Sequence, residues 1–116
     1  MIITETSANG IVIVALEGRL DALSAPKLRG SPPVADPKTA VVLDLEKVDF
    51  MDSSGLGAIV GAAREKGDPA CGIVLSCMNN KVRRTFETTN AQRLFHIFDD
   101  TSAAVDFAAT RQIART

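Results

Sequence analysis

The residues best equipped for chemistry gather in the stretch Asp49-Phe50-Met51-Asp52-Ser53-Ser54-Gly55-Leu56-Gly57. Two carboxylates and two hydroxyls meet there, where a strand gives way to a helix. One Asp or Ser would suffice to cap that helix, and the glycines would let its first turn lie against a neighbour. The surplus serine suits a further task, because a helix N-terminus presents free N–H groups and partial positive charge and so tolerates a phosphate on a serine. Elsewhere the inventory is thin. The single histidine, His96, sits in an apolar run and reads as structural. No Gly-x-Ser-x-Gly elbow is present, so a serine hydrolase lacks its usual nucleophile turn. Gly55-Leu56-Gly57 lacks the third glycine of a dinucleotide fingerprint, and no Gly-Lys-Ser/Thr follows. Cys71 and Cys77 do not form a CxxC and have no histidine nearby, which speaks for two reduced thiols in or beside a strand rather than zinc or redox chemistry. Gly57 and Gly61 form a GxxxG that implies close packing at most, and Lys81, Arg83 and Arg84 read as a solvated helix face. The expectation is a protein that is not an enzyme and uses no metal or cofactor.

Composition agrees with that expectation. The 116 residues suffice for one domain with a real core. Thirteen basic residues against fourteen acidic ones remove the electrostatic footprint of a nucleic-acid binder. No apolar run is long enough to span a bilayer, and the N-terminus lacks the pattern of a signal peptide. A cytoplasmic domain over residues 1–116, free of nucleic acid and membrane, is the reading.

The elements that must position the serine segment follow from periodicity. Asn9-Gly10 between two apolar runs predicts a type I′ hairpin, with residues 11–16 as a strand covered on both faces and residues 2–7 as its half-exposed partner. Ser24 before Ala25-Pro26 predicts an N-cap and a turn or two of helix over 25–29, followed by irregular chain through Gly30, Pro32, Pro33 and Pro37. Residues 40–46 predict a strand, linked by 47–51 to a helix over 53–66 whose inner stripe is Leu56, Ile59, Val60 and Ala63. Gly67-Asp68-Pro69 would stop it. A strand over 72–77, a helix capped by Asn80 and running to 88, a strand over 94–98 and a last helix capped by Asp99-Asp100-Thr101 complete the chain. The last helix has Val105, Ala108, Ala109 and Ile113 on its inner face. The order β-β-α-β-α-β-α-β-α implies an α/β fold: a mixed, mostly parallel sheet of about five strands with an N-terminal hairpin and about four helices. In such sheets the functional surface lies at the carboxyl ends of the strands, which directs attention to Asp21 and to residues 49–54.

These pieces together resemble the STAS domain family of bacterial anti-sigma factor antagonists. Val48-Asp49-Phe50-Met51-Asp52-Ser53-Ser54-Gly55-Leu56-Gly57 is similar to the family signature. Gly18-Arg19-Leu20-Asp21 is similar to the motif after the second strand, and Ser24-Ala25-Pro26 to a helix opening. Residues 41–45, Val82-Arg83-Arg84-Thr85-Phe86, Phe98-Asp99-Asp100 and Ala103-Ala104-Val105 resemble the third strand, the penultimate helix and the closing segment. The resemblance covers nearly the whole chain. It departs at Gly30-Ser31-Pro32-Pro33, where relatives carry a longer helix and this chain must rearrange locally.

The resemblance implies a regulatory binding module. Its unmodified form would bind a cognate anti-sigma factor, a serine kinase of the histidine-kinase-like ATPase fold, and so free a sigma factor or an equivalent target. Phosphorylation of the serine after the Asp, here Ser53, would end that binding, and a PP2C-type phosphatase would restore it. Asp21, Asp52, Ser54, Gly55 and Leu56 would belong to the partner-binding surface, with Asp21 acting on recognition or transfer rather than on stability. Three other readings compete. A STAS subunit of a lipid-transport ATPase complex would have the same fold. A phosphoacceptor receiver domain lacks its acidic pair after the first strand and its late lysine. A small enzyme lacks acid-base residues.

Overall fold

A computed structural model describes residues 1–66 and 72–115. Its sheet has five strands in the order β1-β2-β3-β4-β5: Ile2–Ala8, Ile11–Leu20, Val41–Met51, Ile73–Ser76 and Ile97–Phe98. The first pair is antiparallel and the rest are parallel. Asn9 and Gly10 both have positive φ, 53° and 78°, as a two-residue type I′ turn demands. The helices are α1 (Ala25–Arg29), α2 (Pro32–Ala35), α3 (Ser53–Glu65), α4 (Asn80–Thr88) and α5 (Thr101–Arg115), with a 3-10 turn at Ala91–Leu94.

Alternation along the strands sends side chains to two cores. Val14, Leu16, Val41, Leu43, Leu45, Ile73 and Leu75 face one side, where Leu28 of α1, Val34 of α2, Ile59 of α3 and Phe86 of α4 cover them. Ile11, Val42 and Val74 face the other side, under Ala104, Val105 and Ala108 of α5. Leu43, Ile73 and Leu75 are fully buried, and each such side chain stabilises by about 1.5–3 kcal/mol. His96 stacks on Phe107 with ring centroids 4.4 Å apart. The Cys77 sulfur lies 3.5 Å from the Thr101 hydroxyl, while Cys71 and Gly67-Asp68-Pro69 lie outside the described residues, as does the side chain of Ile113.

Several expectations are corrected. Residues 47–51 continue β3 instead of linking it to α3: β3 carries one extra residue between Asp44 and Lys47 and another between Val48 and Phe50, and these bulges keep it paired with β2 as far as Leu20 and Met51. The expected irregular stretch after residue 30 holds a second one-turn helix, α2, with prolines in its first positions where the missing N–H groups cost nothing. The expected strand over 94–98 is reduced to Ile97 and Phe98: Leu94 ends the 3-10 turn, and Phe95 and His96 connect that turn to the strand. Asn79, not Asn80, caps α4, accepting from the Val82 N–H at 3.0 Å. Asp100 caps α5 as expected, accepting from the Ala103 N–H at 2.7 Å.

Lys66 holds the shortened α1–α2 segment in place. Its side chain leaves the end of α3 and donates to the carbonyls of Pro33, Asp36 and Thr39 at 2.9, 2.5 and 2.6 Å. Only 6% of the residue is exposed. Burial lowers its pKa and the Asp36 charge partly restores it. Three backbone acceptors without a helix to satisfy them are thus paired by one cation.

Candidate functional site

Strand β3 ends at Met51, and Asp52 turns the chain into α3. Asp52 is the N-cap: its Oδ1 accepts from the Gly55 N–H at 3.0 Å. The Asp52 N–H reaches the Leu20 carbonyl at 3.4 Å, so the start of α3 is pinned to the end of β2. Gly55 makes this approach possible, because a Cβ there would stand 2.1 Å from the Leu20 oxygen. Gly57 faces open space by the same measure. Gly61 lies under the Arg29 guanidinium, which also pairs with Glu65.

The cap leaves both serines at the surface. Ser53 and Ser54 are exposed, and among the described residues neither hydroxyl has a hydrogen-bond partner. Gly55 and Leu56 are buried, Leu56 at 6% exposure within the core under α3. Of the five residues expected in the partner-binding surface, these two position the helix, and Asp21, Asp52 and Ser54, with the expected acceptor Ser53, present side-chain atoms outward.

Asp21 follows Leu20 directly, at the carboxyl end of β2 beside the start of α3. Its carboxylate is engaged rather than free. Oδ1 accepts from the N–H groups of Leu23 and Ser24 at 3.1 and 3.2 Å, and Oδ2 pairs with Arg19 Nε at 3.5 Å. Partial desolvation pushes its pKa up, but the bonds from Ser24 and Leu23 and the Arg19 contact outweigh this and hold the carboxyl below its ordinary value. The expectation that Asp21 has no structural part is therefore revised: it closes the turn into α1. Ser24 sits at the N-cap position but does not cap α1 with its side chain, which accepts from Asp21 N–H at 2.9 Å and donates to the Arg19 carbonyl at 2.7 Å. This turn holds Leu23 outward, 92% exposed. Nothing in the periodicity marked Leu23, since its exposure depends on the Asp21 turn.

Asp49 does not join this group. It lines a different hollow, with Asn79, Asn80 and Lys81. Ser53 instead borders a shallow groove of about 320 Å³ between the start of α3 and α4, shared with Asp52, Lys81, Arg84 and Thr85. The sequence reading placed Lys81 and Arg84 on a solvated face, and they are indeed exposed, but that face walls the groove beside the serine.

The fold that carries this site is shared with known proteins. The STAS domain family model covers residues 3–104, and the chain belongs to that family. It is 34% identical over 86 residues to the anti-sigma-B factor antagonist of Listeria monocytogenes, a match spanning 72% of this chain and 75% of that protein. Its fold is similar to that of the anti-sigma factor antagonist SpoIIAA in its unphosphorylated form, with a TM-score of 0.73 and 24% identity over 90% of this chain and 94% of that one. It is also similar to the Bacillus cell fate determinant SpoIIAA in the phosphorylated form, with a TM-score of 0.65 and 21% identity over 90% and 97% of the two chains. Among the described residues no helix is long and apolar enough to cross a membrane.

Proposed function

We propose that this chain is an anti-sigma factor antagonist whose binding is switched by phosphorylation of Ser53. The observation that carries the reading is an exposed, unpartnered Ser53 hydroxyl directly after the Asp52 cap, at the carboxyl end of a parallel strand in a STAS domain. The antagonist names of its relatives support the class, and the existence of a phosphorylated SpoIIAA supports the switch. In this reading the unmodified surface around Ser53, Ser54, Asp52 and the Asp21–Ser24 turn docks on an anti-sigma serine kinase of the histidine-kinase-like ATPase fold. Leu23 supplies an apolar anchor at its edge.

The kinase then transfers the γ-phosphoryl group of ATP to the Ser53 oxygen. The bond to the bridging oxygen of ATP breaks, ADP leaves, and the hydroxyl proton passes to a base on the kinase or to water. A phosphoserine adds roughly −1.5 to −2 charges where a neutral hydroxyl fitted the interface. Like-charge contact at an interface costs several kcal/mol, and each ~1.4 kcal/mol is tenfold in affinity. Release follows, and a PP2C-type phosphatase resets the surface.

Incubation with the cognate kinase and ATP, followed by peptide mass spectrometry, tests the assignment. Wild type and Ser54→Ala should each gain one phosphate on the peptide containing residue 53, and Ser53→Ala none. Equal labelling of Ser53→Ala would sink it.

A further inference from the structure

Helix α4 has two faces of opposite character. Val82 and Phe86 are buried in the core, and Lys81, Arg84, Thr85 and Thr88 recur on the other side at i, i+3, i+4 and i+7. The polar face walls the groove that Ser53 borders. Thr85 fixes the helix against that site, its hydroxyl donating to the Met51 carbonyl at 3.3 Å. The neighbouring hydroxyls are occupied: Thr88 donates to the Arg84 carbonyl at 2.8 Å and Thr89 to the Thr85 carbonyl at 3.1 Å. The strong donors left in the groove are the Lys81 ammonium and the Arg84 guanidinium. Neither has a carboxylate partner among the described residues, whereas Arg83 between them pairs with Asp99 at 3.7 Å, away from the groove. Asp52, the acidic side chain in the groove, is already accepting from the Gly55 N–H, and Asp21 is paired with Arg19. Asp49 faces Lys81 from the adjoining hollow.

We propose that this groove is an intramolecular phosphate clamp: once Ser53 carries a phosphoryl group, Lys81 and Arg84 of the same chain hold it. The clamp rests on the reading of Ser53 as the acceptor. Its ligand class is a phosphate monoester dianion, which a guanidinium and an ammonium recognise by charge-assisted hydrogen bonds, the guanidinium in bidentate fashion. Held this way, the phosphoryl group lies along the groove with its charge offset only in part, enough that repulsion from Asp52 and Asp21 does not unwind the start of α3 while the added charge still faces the partner. The phosphorylated form becomes a distinct, ordered surface instead of a loosened one.

The test uses the full chain with phosphoserine placed at position 53 during synthesis through an expanded genetic code, so no kinase is involved. The second ionisation of the phosphate is followed by 31P NMR against pH in three backgrounds: unchanged, Lys81→Gln/Arg84→Gln, and Arg83→Gln. Bound cations favour the dianion. The clamp requires proton affinity in the unchanged chain to be at least about threefold lower than in the double variant, with Arg83→Gln close to the unchanged chain. Equal titration in the unchanged chain and the double variant overturns the clamp, as does a shift from Arg83→Gln as large as that from the pair. Should the double variant not match the unchanged amide spectrum, Lys81→Gln and Arg84→Gln are titrated singly, and each must raise the proton affinity. The phosphoserine is incorporated during translation without a kinase, so a negative result removes the clamp and leaves the acceptor assignment standing. Failure of kinase labelling at Ser53 would remove that assignment without altering the titration.

Discussion

At the scale of single residues, the site is built by a division of labour between neighbours. Asp52 caps α3, which frees Ser53 from that duty, and Gly55 lets the capped turn press on Leu20. Two glycines two residues apart, on different faces of α3, should therefore respond in opposite ways. Gly55→Ala pushes a methyl group into the Leu20 carbonyl, a backbone group that cannot swing aside, and should cost about 1–3 kcal/mol in urea unfolding. Gly57→Ala meets nothing within 4 Å and replaces a poor helix former, so a gain of about 0.5–1 kcal/mol is expected. Destabilisation by both would mean the helix start is packed differently from this description. Asp21 carries a similar lesson. Its place at a strand end suggested recognition alone, but its two N–H partners and Arg19 make it a turn-closing group. Asp21→Ala should lower Tm, and Asp21→Asn, which retains an acceptor oxygen, should lower it less. Leu23→Ala should leave Tm nearly unchanged, since it is a surface change, while weakening kinase binding in calorimetry.

At the scale of elements, what could be read in advance was local. The Asn9-Gly10 hairpin, the apolar runs of β3 and β4 and the stripe of α3 are each specified by residues within a few positions of one another, and all are present. The misreadings involve partners far away in the chain. Residues 47–51 look like a linker, but bulges in β3 keep them in the sheet beside β2. The segment after Gly30 looks irregular, and what orders it is Lys66, which is more than two dozen residues from each carbonyl it pairs. The site divides the same way: Asp52 and Ser53 were legible as a capped turn, whereas Lys81 and Arg84 join them only through tertiary packing. Lys66→Met should leave those three carbonyls unsatisfied and cost about 2–4 kcal/mol. Amide exchange should show the loss concentrated in residues 31–40. Uniform loss across the sheet would mean that Lys66 supports the core rather than that segment.

At the scale of the whole molecule, the sheet brings a turn, a helix start and a second helix face to one end, and the proposed switch would act there. Acid titration probes the loops at this scale. Hydrogen bonds from Lys38 N–H and the Thr39 hydroxyl hold the Asp36 carboxyl below its ordinary value, and Asp21 is likewise depressed. Depressed carboxyls bind fewer protons in the folded chain than in the unfolded one. Their contribution is therefore present above the unfolded pKa and is lost as pH falls below about 4 through the folded values. An Asp21→Asn/Asp36→Asn variant should show a shallower fall of Tm between pH 5 and pH 3, by roughly the part these two groups supply. An unchanged slope would place the acid sensitivity elsewhere.

The switch itself is tested most directly by a paired measurement on unmodified and Ser53-phosphorylated chains: affinity for the cognate kinase by calorimetry, and amide exchange across residues 56–63. Binding should weaken by about 100-fold or more, as a few kcal/mol of interfacial repulsion allows, while protection of α3 stays the same in both forms. Equal affinity would contradict the switch, and broad loss of protection in α3 on phosphorylation would show that it works by local unfolding instead of by charge at a preserved surface.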